Sequence, residues 1–193
     1  MDDIFKFSKR EIIDLTASVI AIAIIFSYPF LSLYIFIVSL ICVGSGFIFH
    51  ELMHRTVARK YGAWSEFRAW YEGLALALIL KIAIGVTFIA PGAVYIYKDY
   101  LTVEENGKIA LAGPLTNVAL AFIFLIIWMI FNQIPLLSLI GLFGFHINLF
   151  LAGFNMLPIS PFDGEKVLRW NPLVWAVVGI PLIGYVIYKM FSW

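Results

Sequence analysis

Two histidines flank a glutamate in His50-Glu51-Leu52-Met53-His54, and their spacing suits a single metal ion. On an α-helix, positions i and i+4 share a face about one turn apart, so both rings can direct a nitrogen at one ion. Zinc accepts imidazole nitrogen at about 2.0–2.1 Å. Glu51 is turned away from direct ligation but stays near enough to take a proton from a water at the ion, the general-base position of metal-assisted hydrolysis. A catalytic zinc commonly has three protein ligands and one open position, so a further ligand must come from elsewhere in the chain. The same residues could instead form the solvated face of a soluble helix. Against that, no Asp, Glu, Lys or Arg occurs from Leu15 to Phe49. Ionisable groups entering such a setting are costly and argue for function.

The elements that position these residues must be membrane helices. Of the 193 residues, 63% are hydrophobic and 13% charged, with mean hydropathy +0.97, which indicates an integral membrane protein rather than a soluble domain. We read residues 1–193 as a single all-α polytopic membrane domain. The net charge of +1, without a basic cluster, gives nucleic-acid binding no support. Cys42 is the only cysteine, which excludes an intrachain disulfide and a cysteine zinc site; packing accounts for it. Lys6, Lys9 and Arg10 precede an apolar stretch that is too long for a signal-peptide core and lacks a clear small-residue cleavage site. It reads as a retained first span.

Spans are expected at about 12–31, 33–58, 109–131, 135–157 and 172–190, since about twenty apolar residues cross a bilayer. The region 74–97 is apolar but interrupted by Lys81, Gly85 and Pro91-Gly92, and it is rich in β-branched residues. It reads as a sixth span or as a hairpin dipping into the membrane. Charge placement favours the hairpin. With five spans, Lys6, Lys9 and Arg10, then Arg55, Arg59, Lys60 and Arg68, then Lys98 and Lys108, then Lys166 and Arg169 all fall on one side, leaving only Lys189 opposite. We therefore expect about five spanning helices, six being possible, with a re-entrant or membrane-associated β segment near 71–97. The positive-inside rule makes the basic side cytoplasmic, which puts the His50 region toward the cytoplasmic face of the cell membrane.

Few carboxylates are available to complete the site. Asp2, Asp3 and Asp14 lie near the amino terminus, and Asp99, Glu104 and Glu105 share a polar loop that solvation explains. Asp163 differs, because it follows 54 residues, Ile109 to Phe162, without an Asp, Glu, Lys or Arg. Pro158, Pro161 and Gly164 break the preceding helix there, on the side where His54 emerges. His50, His54 and Asp163 would then form a tetrahedral site with one open corner. The alternative is a simple Asp163-Gly164 turn. His146 and Asn148 also sit in a proposed span, where hydrogen bonding between helices suffices for both.

Together these residues resemble the site-2 protease family of intramembrane zinc metalloproteases. The resemblance rests on Phe49-His50-Glu51-Leu52-Met53-His54, on Asn155-Met156-Leu157-Pro158 leading to Asp163-Gly164, and on Ala112-Gly113-Pro114 with Asn117 between them. It implies a catalytic core over about 33–170, one Zn2+ on His50, His54 and Asp163, Glu51 as the catalytic residue, and Asn155 supporting the substrate backbone or the transition state. It also implies a strand-forming segment after the helix of the two histidines, and membrane-spanning proteins, often anti-sigma factors or membrane-tethered regulators, as substrates. The expected function is a zinc metalloendopeptidase that cuts peptide bonds in or near transmembrane segments. A membrane zinc transporter or sensor is the alternative from another class, but Glu51 has no necessary work there; an inactive protease homologue is the other.

Overall fold

Hydroxyl caps set the first two helices. The Ser8 side chain accepts from the Glu11 amide at the start of α1 (Lys9–Ser27), and Ser32 accepts from Ile35 at the start of α2 (Leu33–Lys60). Such caps satisfy amides that a first helical turn leaves without partners. The computed structural model describes residues 7–30, 32–87, 92–98 and 100–192. After α2 come β1 (Trp64–Ala69), α3 (Tyr71–Ile84), β2 (Gly92–Tyr97), α4 (Val103–Phe131), α5 (Pro135–Asn155), α6 (Asp163–Trp170) and α7 (Pro172–Ser192). A capping box between Thr102 and Glu105 starts α4, and Pro135 occupies the first turn of α5, where its missing N–H costs nothing.

Four described helices are long and apolar enough to cross a membrane: α2, α4, α5 and α7 over Pro172–Lys189. The expected first span is shorter in apolar length than the sequence suggested. Its helix begins at Lys9 and carries Arg10, Glu11 and Asp14 in its first two turns. The 71–97 region also needs correction. Residues 71–84 form a helix, the partner strand of β2 lies upstream at 64–69, and residues 88–91 fall outside the described part. The run Leu74-Ala-Leu-Ala-Leu is made of strong helix formers, and Gly85 at φ 73° ends the helix in the left-handed conformation. At 14 residues α3 is about 21 Å long, short of the roughly 30 Å apolar layer, so it does not supply a sixth span. The two strands pair antiparallel, with Phe67 opposite Val94.

Packing centres on α2, which touches α1, α4 and α5, while α4 runs against α5 and α6 and α7 closes over α5 and α6. Leu15 and Val19 of α1, Val43 and Phe47 of α2, Phe67 of β1 and Leu151 of α5 share one buried cluster. A buried ion pair ties the same elements together. Arg55 Nη1 lies 3.2 Å from Glu11 Oε1, which also accepts from the Phe67 amide at 3.1 Å. Both side chains are almost wholly inaccessible, and the Arg55 guanidinium stacks over the Phe7 ring. Removing one member strands the other charge. Glu11→Ala is expected to destabilise the fold by about 3–5 kcal/mol, whereas Glu11→Leu with Arg55→Met recovers most of the loss. Denaturant midpoints of the purified variants check this.

Candidate metal centre

The long α2 carries His50 about 26 Å from its first residue, near the far edge of an apolar layer that begins at Leu33. One turn on comes His54. Opposite them the chain leaves α5 at Asn155, passes Pro158 and Pro161, and re-enters a helix at Asp163, the first residue of α6. His50 Nε2 and His54 Nε2 are 2.9 Å apart, and Asp163 Oδ2 is 3.3 Å from the first and 3.0 Å from the second. All three residues are buried.

These distances fit a zinc ion. Tetrahedral ligands with bonds near 2.0–2.1 Å lie about 3.3 Å from one another. The second nitrogen of each ring decides which lone pairs converge. His50 Nδ1 meets Asn117 Oδ1 at 2.5 Å and His54 Nδ1 meets the Ile109 carbonyl at 2.7 Å. Both partners are acceptors, so each Nδ1 carries the proton and each Nε2 offers a lone pair. Two lone pairs and a carboxylate oxygen so close together repel unless a cation lies among them, which makes the cluster capable of coordinating a single Zn2+.

The space beside the nitrogens depends on one glycine. A Cβ built at Gly113 of α4 would lie 2.5 Å from His50 Nε2 and overlap His54 Nε2 as well. Asp163 turns its other oxygen, Oδ1, toward Lys166 Nζ at 3.5 Å, which favours ligation through Oδ2 alone. Burial works against ionising Asp163, while the nearby Lys166 cation favours the carboxylate form that ligation requires. Glu51, buried, lines the cavity beside His50 together with Asn155 and Gly92-Ala93 at the start of β2.

The structure thus brings together His50, His54 and Asp163, with Glu51 adjacent, and sets Asn155 in the cavity wall, where its amide donates to the Leu151 carbonyl at 2.9 Å. The other carboxylates serve elsewhere. Asp14 accepts from Tyr71 Oη at 2.6 Å, Glu104 pairs with Lys108, and Glu105 pairs with Lys98. Asp2, Asp3 and Asp99 lie outside the described residues. His146 is not at the cluster but beside Tyr185 of α7. Sequence reasoning missed the acceptors behind the two rings. A backbone carbonyl such as that of Ile109 leaves no signal in residue type, whereas Asn117 in an otherwise apolar span was a visible clue.

Known proteins carry the same theme. The chain is 78% identical over 188 residues to a protein of Methanocaldococcus jannaschii provisionally named a zinc metalloprotease, covering 97% of this chain and 98% of the relative. A zinc metalloprotease of the same organism is 32% identical over 126 residues, 63% of this chain and 30% of that protein. A third relative, from Synechocystis and also provisionally named a zinc metalloprotease, is 34% identical over 110 residues, 55% of this chain and 27% of its own length. No family model and no solved structure matches the chain.

Proposed function

The chain belongs to the site-2 protease family of membrane zinc metalloproteases, and from that premise we propose that it cleaves other proteins within or beside their membrane-spanning segments. His50, His54 and Asp163 hold one zinc ion, Glu51 is the catalytic residue, and Asn155 steadies the substrate backbone. The observation that carries this reading is the convergence of three ligand atoms beside a buried glutamate in a chain with four helices long and apolar enough to span a membrane.

Zinc, when bound, supplies the Lewis acidity that brings water toward ionisation near neutral pH and polarises the scissile carbonyl. Glu51 takes the proton of the attacking water as the new C–O bond forms. It returns that proton to the amine nitrogen as the C–N bond breaks, so no charge is left on the leaving group. Asn117 and the Ile109 carbonyl keep the two rings aimed while this happens. The buried setting limits bulk water and strengthens every electrostatic contact made there.

A substrate helix must unwind to expose a peptide bond, and its freed N–H and C=O groups then need partners in an apolar layer. The surroundings of β2 support edge pairing as the answer: among the described residues β2 pairs with β1 on one side only, and Gly92, Ala93, Val94 and Ile96 border the same cavity as His50 and Glu51. Backbone N–H groups of successive strand residues point to opposite edges. Of two single variants, Val94→Pro and Tyr95→Pro, one therefore removes an N–H that faces β1 and the other an N–H that faces outward. The outward one is expected to slow cleavage of a complete spanning substrate about tenfold or more with zinc content unchanged, for the loss of one buried hydrogen bond. Equal rates in all three proteins would remove β2 from the account.

We further read α1 as a fifth crossing, with α3 and the hairpin lying at the cytoplasmic side beside the site, the basic residues there obeying the positive-inside rule. The catalytic core over about 33–170 is then one unit of a single membrane domain. The direct test is zinc removal. Stripping the detergent-purified protein with a strong chelator should abolish cleavage of a single-span substrate, and one equivalent of zinc should restore it; undiminished cleavage by the stripped protein would refute the assignment.

A further inference from the structure

Behind His50, on the side away from its ligand nitrogen, a line of hydrogen bonds crosses three helices and takes its direction from a backbone carbonyl. We propose that Asn148 and Asn117 are positioning residues that lock His50 in the tautomer with its proton on Nδ1, so that the Nε2 lone pair faces the ion before any ion arrives. This rests on the zinc reading above.

The direction follows link by link. Asn148 Nδ2 donates to the Gly144 carbonyl at 2.9 Å. A carbonyl only accepts, so the amide nitrogen of Asn148 must lie on that side and its oxygen on the other. That oxygen accepts from Asn117 Nδ2 at 3.0 Å, and the same Nδ2 donates to the Gly46 carbonyl, also at 3.0 Å. Two acceptors now share one side of the Asn117 amide. Flipping it would set oxygen against oxygen twice, so Asn117 Oδ1 must face His50. His50 Nδ1, 2.5 Å away, then has only an acceptor before it and must carry the proton.

Three further observations separate this from mere pairing of helices. Both asparagines are completely buried, so water has no access to complete a bond left unmade. Position 46 is a glycine, and a Cβ there would come within 2.6 Å of Asn148 Oδ1, so the backbone of α2 leaves room for this amide. His54, by contrast, bonds directly to the Ile109 carbonyl at 2.7 Å. A fixed acceptor needs no relay. His50 faces a side-chain amide that rotates, and Asn148 Oδ1 and the Gly46 carbonyl together stop that rotation.

The chain has three histidines, so ring-15N labelling of the full-length protein in detergent gives a spectrum simple enough to read tautomers. The expected result for the zinc-free wild type is His50 protonated on Nδ1. In Asn148→Leu, which keeps apolar packing but loses the relay, that signal should become a mixture of tautomers, and zinc affinity measured against a competing chelator should fall about tenfold. Asn148→Asp should recover most of the affinity, because the buried, neutral acid donates its O–H to the Gly144 carbonyl and keeps its carbonyl oxygen toward Asn117. A purely structural role predicts lowered stability with tautomer and affinity unmoved. The proposal is overturned if wild-type His50 carries its proton on Nε2, or if Asn148→Leu binds zinc like the wild type. Should the leucine variant not fold, the wild-type spectrum alone decides. Failure of the wild type to bind zinc would strike the metal-site reading instead, and the tautomer signal would still test the relay.

Discussion

Peptide hydrolysis is expected to fall by about 10²–10⁴-fold in Glu51→Gln, with one zinc still bound. Glutamine has nearly the shape of glutamate but cannot accept the proton of the attacking water or return it to the leaving amine. The three ligand atoms belong to other residues, with His50 Nε2, His54 Nε2 and Asp163 Oδ2 all within 3.3 Å of one another, so the substitution leaves the metal cradle intact. Rate and zinc content measured on the same preparation separate the two roles. Retention of full activity would show that another group moves the proton, and loss of zinc together with activity would show that Glu51 shapes the cradle.

Gly113→Ala should do the reverse and lower zinc affinity by about 100-fold or more, the upper range for disturbing the surroundings of a metal site. The added methyl would overlap both Nε2 atoms, so either the rings turn away or α4 retreats from α2, and each movement spreads the ligand triangle. The substitution also carries its own control. Alanine is a better helix former than glycine by about 1 kcal/mol, so a helix free of this contact would be stabilised. Zinc affinity and the unfolding midpoint of the zinc-free protein together check the expectation. Wild-type affinity in the alanine variant would mean that the space above the histidines is not bounded by α4.

The legible and illegible parts of this chain divide along physical lines. His50, Glu51, His54 and Asp163 were readable because each is an ionisable group in a long apolar context, where only a specific use repays desolvation. The four apolar spans were readable from length and composition, with ends within a few residues of α2, α5 and α7. The 71–97 region misled because its β-branched residues suggested strand, while Leu74 to Leu78 alternates leucine and alanine, strong helix formers that fold locally as α3. The true partner of β2, Trp64–Ala69, mixes Ser65, Glu66 and Arg68 with Trp64, Phe67 and Ala69 and so shows no continuous apolar run. The buried Glu11 and Arg55 pair was equally hidden, since charges at helix ends normally read as solvated. Gly113 was visible as a small residue at a helix contact, but the target of that contact, two imidazole nitrogens, depends on how α4 crosses α2.

The activity proposed for this chain is zinc-dependent cutting of a polypeptide inside the membrane. The most direct measurement co-reconstitutes the purified protein with a single-span substrate in lipid vesicles and maps the products by mass spectrometry, with and without zinc. The account predicts new termini within the apolar segment of the substrate, formed only when zinc is present. Substrate left intact by protein that holds its zinc, or cut only in the flanking soluble segments, would contradict it.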